Sequence, residues 1–195
     1  MVRLEIINHF LVLLVIPAER NEMNDRNQNT ETMQQLTPLS QRNGYKASHS
    51  DLIKIAKKWL KSKGCGVVLC ELVSRALETP DAIGFRGDYS VLIECKISRN
   101  DFISDKKKLI RQYSEFGMGN FRFYMCPSGV IKPEDLPEKW GLIWVSERGK
   151  PRQIIGPRGS TWSYGGSSFS FKKNLYEEYC IMYSALRRVS LRNAL

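Results

Sequence analysis

The chain has 195 residues, 42% of them hydrophobic, and a formal net charge of +10. That is enough apolar material for one ordinary core, so one domain with an attached tail is expected, and no internal repeat points elsewhere. The first 48 residues hold five basic and five acidic side chains, so the whole excess, 25 against 15, falls on residues 49–195. A folded part this basic suits polyanionic partners, nucleic acid the commonest, although a plain soluble basic domain meets the same count. Cys65, Cys70, Cys95, Cys126 and Cys180 are odd in number and show no C-x-x-C spacing. They fit reduced core thiols of a cytoplasmic protein and argue against a disulfide framework or a structural zinc site.

Taken in order, the chain opens with an apolar run, Phe10 to Ile16, behind a lone Arg3. The run is shorter than the ~18 residues of a membrane span and no small-residue cleavage site follows, so a packing strand or translation from an upstream start is expected over a signal peptide. Residues 19–48 are polar and Asn/Gln-rich, a composition that cannot offset its ordering entropy by burial. Residues 1–48 are therefore expected to form a disordered or weakly ordered tail, and 49–195 a single domain. Ser50 or a neighbour caps a helix running to Lys63, with Leu52, Ile53, Ile55, Ala56, Trp59 and Leu60 inward and Lys54, Lys57, Lys58 and Lys61 outward. His49 reads as a neighbour of that cap. Gly66 to Val73 reads as the first strand, and Glu71 within it is a carboxylate among apolar neighbours. Such a group belongs at an exposed strand end or in a site. Glu78 reads as a loop charge.

The stretch from Thr79 to Asp105 carries the most information. Ala82–Arg86 and Tyr89–Ile97 are rich in strand formers, and Gly87-Asp88 between them is a two-residue hairpin loop. That turn sets Arg86 opposite Tyr89 and, counting back, Asp81 opposite Glu94. Cross-strand neighbours on one face have Cβ atoms about 4.5–5.5 Å apart. Glu94 and Lys96 share a face, while Val91, Ile93, Cys95 and Ile97 point to the other. Ser98 to Asp101 then caps a helix over 102–113, with Phe102, Leu109, Ile110 and Tyr113 inward and Lys106, Lys107, Lys108 and Arg111 outward as candidate phosphate contacts. Strands at 121–126 and 142–145 follow, separated by a short helix or turn at 133–140. Residues 147–173 read as a loop or irregular hairpin in which Trp162, Tyr164 and Phe169 either stack on bases or cover an edge of the core. Leu175 to Leu191 is an amphipathic closing helix. The sum is an α/β fold, a mixed central sheet flanked by helices.

Two carboxylates on adjacent strands, with the carbonyl of Cys95, offer hard oxygen ligands suited to Mg²⁺ or Mn²⁺. Such an ion polarises a phosphoryl oxygen and makes hydroxide available near neutral pH. Lys96 beside it can orient or deprotonate the attacking water and offset charge on the phosphate. The Glu-x-Lys triplet is weak by itself; its place in an apolar strand, with Asp81 opposite, gives it weight. Pro80-Asp81, then Glu94-Cys95-Lys96 thirteen residues on, between two amphipathic helices, resembles the PD-(D/E)xK nuclease superfamily. The resemblance covers about residues 49–145. It implies a restriction-endonuclease-like α-β-β-β-α-β core and an Mg²⁺- or Mn²⁺-dependent endonuclease acting on DNA, in settings such as repair or phage and mobile-element processing. Asp81 and Glu94 would be metal ligands and Lys96 catalytic. Analogy with the family also implies a homodimer, because cutting both strands of a duplex needs two sites. Many members add a glutamate from the first helix; here that helix has none, and Glu71 is the candidate replacement. The competing expectation is a nucleic-acid-binding protein that keeps the fold without catalysis.

Overall fold

The structure, a computed structural model, describes residues 47–159, 162 and 167–192. The chain divides into two units, 1–41 and 42–195, and every described residue belongs to the second. The apolar run at Phe10–Ile16, nearly all of the 19–48 linker, and Tyr164 lie outside the described residues.

Order starts at a capping box, in which the Ser48 side chain accepts from the Asp51 N–H and the Asp51 carboxylate accepts from that of Ser48. It opens helix α1 (His49–Ser62), whose buried residues are Leu52, Ile53, Ala56, Trp59 and Leu60. Six strands follow: β1 (Val67–Cys70), β2 (Ala82–Arg86), β3 (Tyr89–Cys95), β4 (Phe121–Pro127), β5 (Gly141–Val145) and β6 (Pro151–Ile155). They form one sheet in sequence order, antiparallel at β1/β2, β2/β3 and β5/β6 and parallel at β3/β4 and β4/β5. The fold is thus α/β with a mixed sheet flanked by helices, as the sequence predicts. The Gly87-Asp88 turn gives the expected register, with Ala82 opposite Ile93 and Arg86 opposite Tyr89.

Alternation on β3 sorts the core into two layers. Val91, Ile93 and Cys95 pack under α1, with Trp59, Phe121 and Phe123. Leu92 faces the other way, into a cluster with Phe102, Tyr124, Trp140 and Ile181. That second layer is closed by α2 (Arg99–Lys106), α3 (Leu109–Gln112) and α4 (Leu175–Leu191).

One sequence expectation changes, and two that left alternatives open are decided. The helix expected over 102–113 breaks at Lys107–Lys108, where Lys108 takes an extended conformation (φ −62°, ψ 138°). The break shifts the helical phase, so Leu109 and Tyr113 are exposed and Arg111 turns inward. The stretch expected as a loop or irregular hairpin contains β6, paired antiparallel to β5 through a bulge, which is the hairpin alternative. In the same stretch, Trp162 stacks on Phe123 and Tyr89 and Phe169 packs against the α1-side core. Those two aromatics cover the core edge. No helix among the described residues is long and apolar enough to cross a membrane.

Gly84 lets α1 sit on the sheet, since a Cβ there would lie 2.7 Å from Cys65 Sγ and 3.1 Å from Leu60 Cδ2. Gly84→Ala should lower unfolding stability by about 1–3 kcal/mol through overpacking. Urea denaturation reads this directly, and an unchanged midpoint would contradict the close approach.

Candidate active site

The register draws a row across three strands. Cys70 pairs with Ala82 and Ala82 with Ile93, so one step further Glu71 faces Asp81 and Asp81 faces Glu94. The ladder begins to fray there. Glu71 N–H reaches the carbonyls of Pro80 and Asp81 at 3.3 and 3.2 Å, and Glu71 itself has a φ of +46°, a left-handed conformation that is costly for a residue with a Cβ. This turn ends β1 and leaves the Glu71 side chain exposed. Asp81 is fixed instead, its Oδ2 accepting the Cys95 backbone N–H at 2.6 Å. From the start of α1, His49 Nε2 stands 3.4 Å from the same Oδ2. Ligand atoms of His49, Glu71 and Asp81 all lie within 4.8 Å of one another.

Glu94 and Lys96 lead inward. Their side chains are 4% and 6% exposed, and Lys96 Nζ lies 3.1 Å from Glu94 Oε2 and 3.3 Å from Asp105 Oδ1. Arg111, its side chain 2% exposed, joins three carboxylates: Glu78, Glu94 at 3.2 Å and Asp105 at 2.9 Å. Tyr124 OH donates to Asp105 at 2.9 Å, and the guanidinium lies over the Trp140 ring. Full burial pushes the Glu94 carboxyl up to about 7; Arg111 and Lys96 oppose the rise, while Glu78 and Asp81 add to it. Burial likewise disfavours charge on Asp105, but Arg111, Lys96 and Lys108 outweigh it and hold that carboxyl below the usual range. Burial also pulls on Lys96, yet Glu94, Asp105 and Asp81 outweigh it and raise its pKa, so the ammonium keeps its proton.

The candidate residues therefore divide. Asp81 and Glu71 form an accessible group with His49. Glu94 does not join it in the way expected of a metal ligand, because both of its oxygens face cations. Cys95 enters through its N–H, its thiol being buried in the α1-side core. Arg111 is not the surface phosphate contact expected of it but a buried cation serving three carboxylates. Lys108 pairs with Asp105 at 2.8 Å, and Lys106 donates to the Asp135 carbonyl at 3.0 Å. Both keep exposed side chains, as does Lys107. Sequence reasoning passed over three members: His49, read as a cap neighbour; Glu78, read as a loop charge; and Asp105. A signal for Asp105 was present, since it is a carboxylate immediately before a run of three lysines and one helical turn after Asp101.

No family model matches the chain, and no match is found among curated proteins. Among solved structures it is similar to the SPO1766 protein of unknown function from Silicibacter pomeroyi, at 19% identity over 75% of this chain and 92% of that one, with a TM-score of 0.49. That likeness is too distant to bear on chemistry or fold.

Two outcomes follow from the buried network. Arg111→Met should cost about 3–5 kcal/mol, because it strands buried carboxylates without their cation, whereas Lys107→Ala should stay within about 0.5 kcal/mol. Chemical denaturation of the two variants side by side checks this; equal midpoints would refute the clamp. The raised Glu94 pKa means that the folded state holds a proton more tightly than the unfolded chain between the ordinary value of 4.5 and about 7. Its stabilising contribution is full below that window and is lost as pH rises through it. Glu94→Gln should accordingly gain stability relative to wild type on going from pH 5 to pH 8, by roughly 2 kcal/mol. Denaturation curves in EDTA at the two pH values measure the gain, and a pH-independent difference would contradict it.

Proposed function

We propose that this chain is a divalent-metal-dependent nuclease with a restriction-endonuclease-like core, hydrolysing phosphodiester bonds in DNA. The observation that carries the reading is the row Glu71, Asp81, Glu94 across β1, β2 and β3, with His49 at its open end and Lys96 at its buried end. The element order, helix, three antiparallel strands, helix, then a strand parallel to the third, supports the same class.

The donor set at the open end fits a divalent ion: two carboxylates and an imidazole that come together at one point. Asp81, Glu71 and His49 are the residues that would hold it. An ion bound there polarises a phosphoryl oxygen and lowers the pKa of a bound water. Carboxylates alone suit Mg²⁺, but an imidazole shifts the preference toward Mn²⁺, which binds nitrogen more readily. His49 thus stands where relatives of this class use a glutamate from the first helix. Lys96, whose ammonium keeps its proton, acts as a fixed positive charge and not as the base that takes a proton from water. The Cys95 N–H fixes the Asp81 carboxylate, and Glu94 pairs with Lys96 and Arg111, which holds the Lys96 ammonium in place.

One observation favours a second reading. Two of the three motif side chains, Glu94 and Lys96, are buried and ion-paired, as they would be in a binding protein that keeps the fold for structural reasons. Plasmid nicking separates the two. The nuclease reading expects cleavage with Mn²⁺ exceeding that with Mg²⁺. Asp81→Asn and Glu71→Gln should each lose at least about 100-fold in rate. His49→Ala should retain some activity and lose the Mn²⁺ preference. Nicking by Asp81→Asn at the wild-type rate would sink the assignment. Wild-type protein that binds DNA with a steep salt dependence but cleaves with neither ion would establish the second reading.

A further inference from the structure

Helix α4 inverts the usual amphipathic pattern. Its buried residues are Glu177, Glu178, Cys180 and Ile181, and both glutamates are engaged. Glu177 accepts the Leu77 N–H at 2.5 Å; Glu178 takes the Ser90 hydroxyl, the Gly119 N–H and Lys173. What faces outward includes three aromatics besides the exposed Leu175 and Leu186: Tyr176, Tyr179 and Tyr183 are 67%, 63% and 52% exposed. Spacings of three and four put them on one strip, about 10 Å long at 1.5 Å per residue. The Tyr179 and Tyr183 rings stack, with centroids 6.1 Å apart and planes 27° from parallel. Together with Arg75 and Arg187 these tyrosines line an open cleft of about 520 Å³ whose lining contains no carboxylate.

We propose that this cleft binds single-stranded nucleic acid, with unpaired bases stacked on the tyrosines and backbone phosphates held by Arg75 and Arg187. Large aromatic faces left in water beside cations, with acids turned away, are the ingredients of a sequence-tolerant stacking platform. A second copy of the chain is a poor occupant, because two-fold pairing of this face would gather the Arg75 and Arg187 side chains of both copies with no carboxylate in the cleft lining to offset them. Position adds to the argument. Arg75 lies on the loop between Glu71 and Asp81, which is pinned to α4 by the Glu177–Leu77 contact and by Arg188 donating to the Val73 carbonyl at 2.9 Å. A strand on the tyrosines therefore runs beside the loop that ends in the candidate active site.

The cleft does not depend on catalysis, so its test uses the full chain in EDTA. Fluorescence anisotropy with a labelled mixed-sequence single strand of about 16 nucleotides should show binding. Tyr179→Ala and Tyr183→Ala should each weaken it about tenfold, with the Phe variants restoring it. Removing Arg75 and Arg187 together should flatten the log–log salt slope by about 1.4, a change the tyrosine variants should not make. Asp81→Asn should bind as wild type does, so loss of cleavage and loss of this binding are separate results. Wild-type affinity in both tyrosine-to-alanine variants would overturn the proposal. So would unchanged oligonucleotide binding accompanied by lost binding to phosphatidylserine vesicles, which assigns the cleft to a lipid surface. Unchanged binding with a dimer converted to monomer in sedimentation would assign it to a second copy and overturn the proposal equally.

Discussion

The guanidinium of Arg111 is the contact on which the second layer of the structure depends. Three carboxylates from three different segments meet it: Glu78 from the loop before β2, Glu94 from β3 and Asp105 from α2. None of them can be buried without a counter-charge, because desolvating an isolated carboxylate costs far more than a single packing contact returns. Arginine suits the position better than lysine, since its planar fork supplies several donors at fixed angles and stays charged at any working pH. The α2–α3 break follows from this demand. An unbroken helix would carry Arg111 to the surface with Lys106 and Lys107; the extended residue at Lys108 turns it inward and leaves Leu109 and Tyr113 in water.

The clamp divides the row Glu71, Asp81, Glu94 into a wet end and a dry end. At the dry end, charges are balanced by protein cations and their positions are fixed. At the wet end, Asp81 has one oxygen held by the Cys95 N–H, and His49 and Glu71 are brought there by the packing of α1 on β1. Glu94 touches both regimes: its backbone lies in the ladder one residue from Cys95, and its side chain belongs to the clamp. On the proposed reading, a fixed electrostatic floor lies beneath an accessible donor set, which is the preorganisation that charge-stabilising catalysis needs. The bent backbone at Glu71 fits the same picture, since a left-handed residue at a strand end persists only where its surroundings hold it.

The parts legible in the sequence were those governed by local rules. Gly87-Asp88 fixed the hairpin register because a two-residue loop permits one pairing, and a one-residue slip would have moved every side chain to the other face. The α1 core stripe followed from helical spacing. What escaped were the features set by contacts distant in sequence. His49 meets Asp81 across 32 positions, and no local pattern marks that meeting. Arg111 was misread because periodicity over 102–113 presumes one continuous helix, and no glycine or proline marks the break. β6 was legible only as the irregular-hairpin alternative, because PRQII lies between turn-forming residues and is held in place by its pairing with β5.

The closing helix shows how a departure from the usual amphipathic pattern can point to function. A pattern reading turns aromatics inward and glutamates outward, since burying an unpaired carboxylate is expensive. α4 does the reverse because Glu177 and Glu178 find donors on the loop before β2, on β3 and before β4. Those contacts anchor the helix with directional bonds where an apolar stripe would ordinarily serve. With the acids engaged beneath it, the cleft on the outer face is lined by tyrosines and arginines together with Cys180 and Ser184. The buried glutamates thus settle how the helix is docked, and with their charge engaged below the cleft above presents Arg75 and Arg187 with no carboxylate among its lining residues.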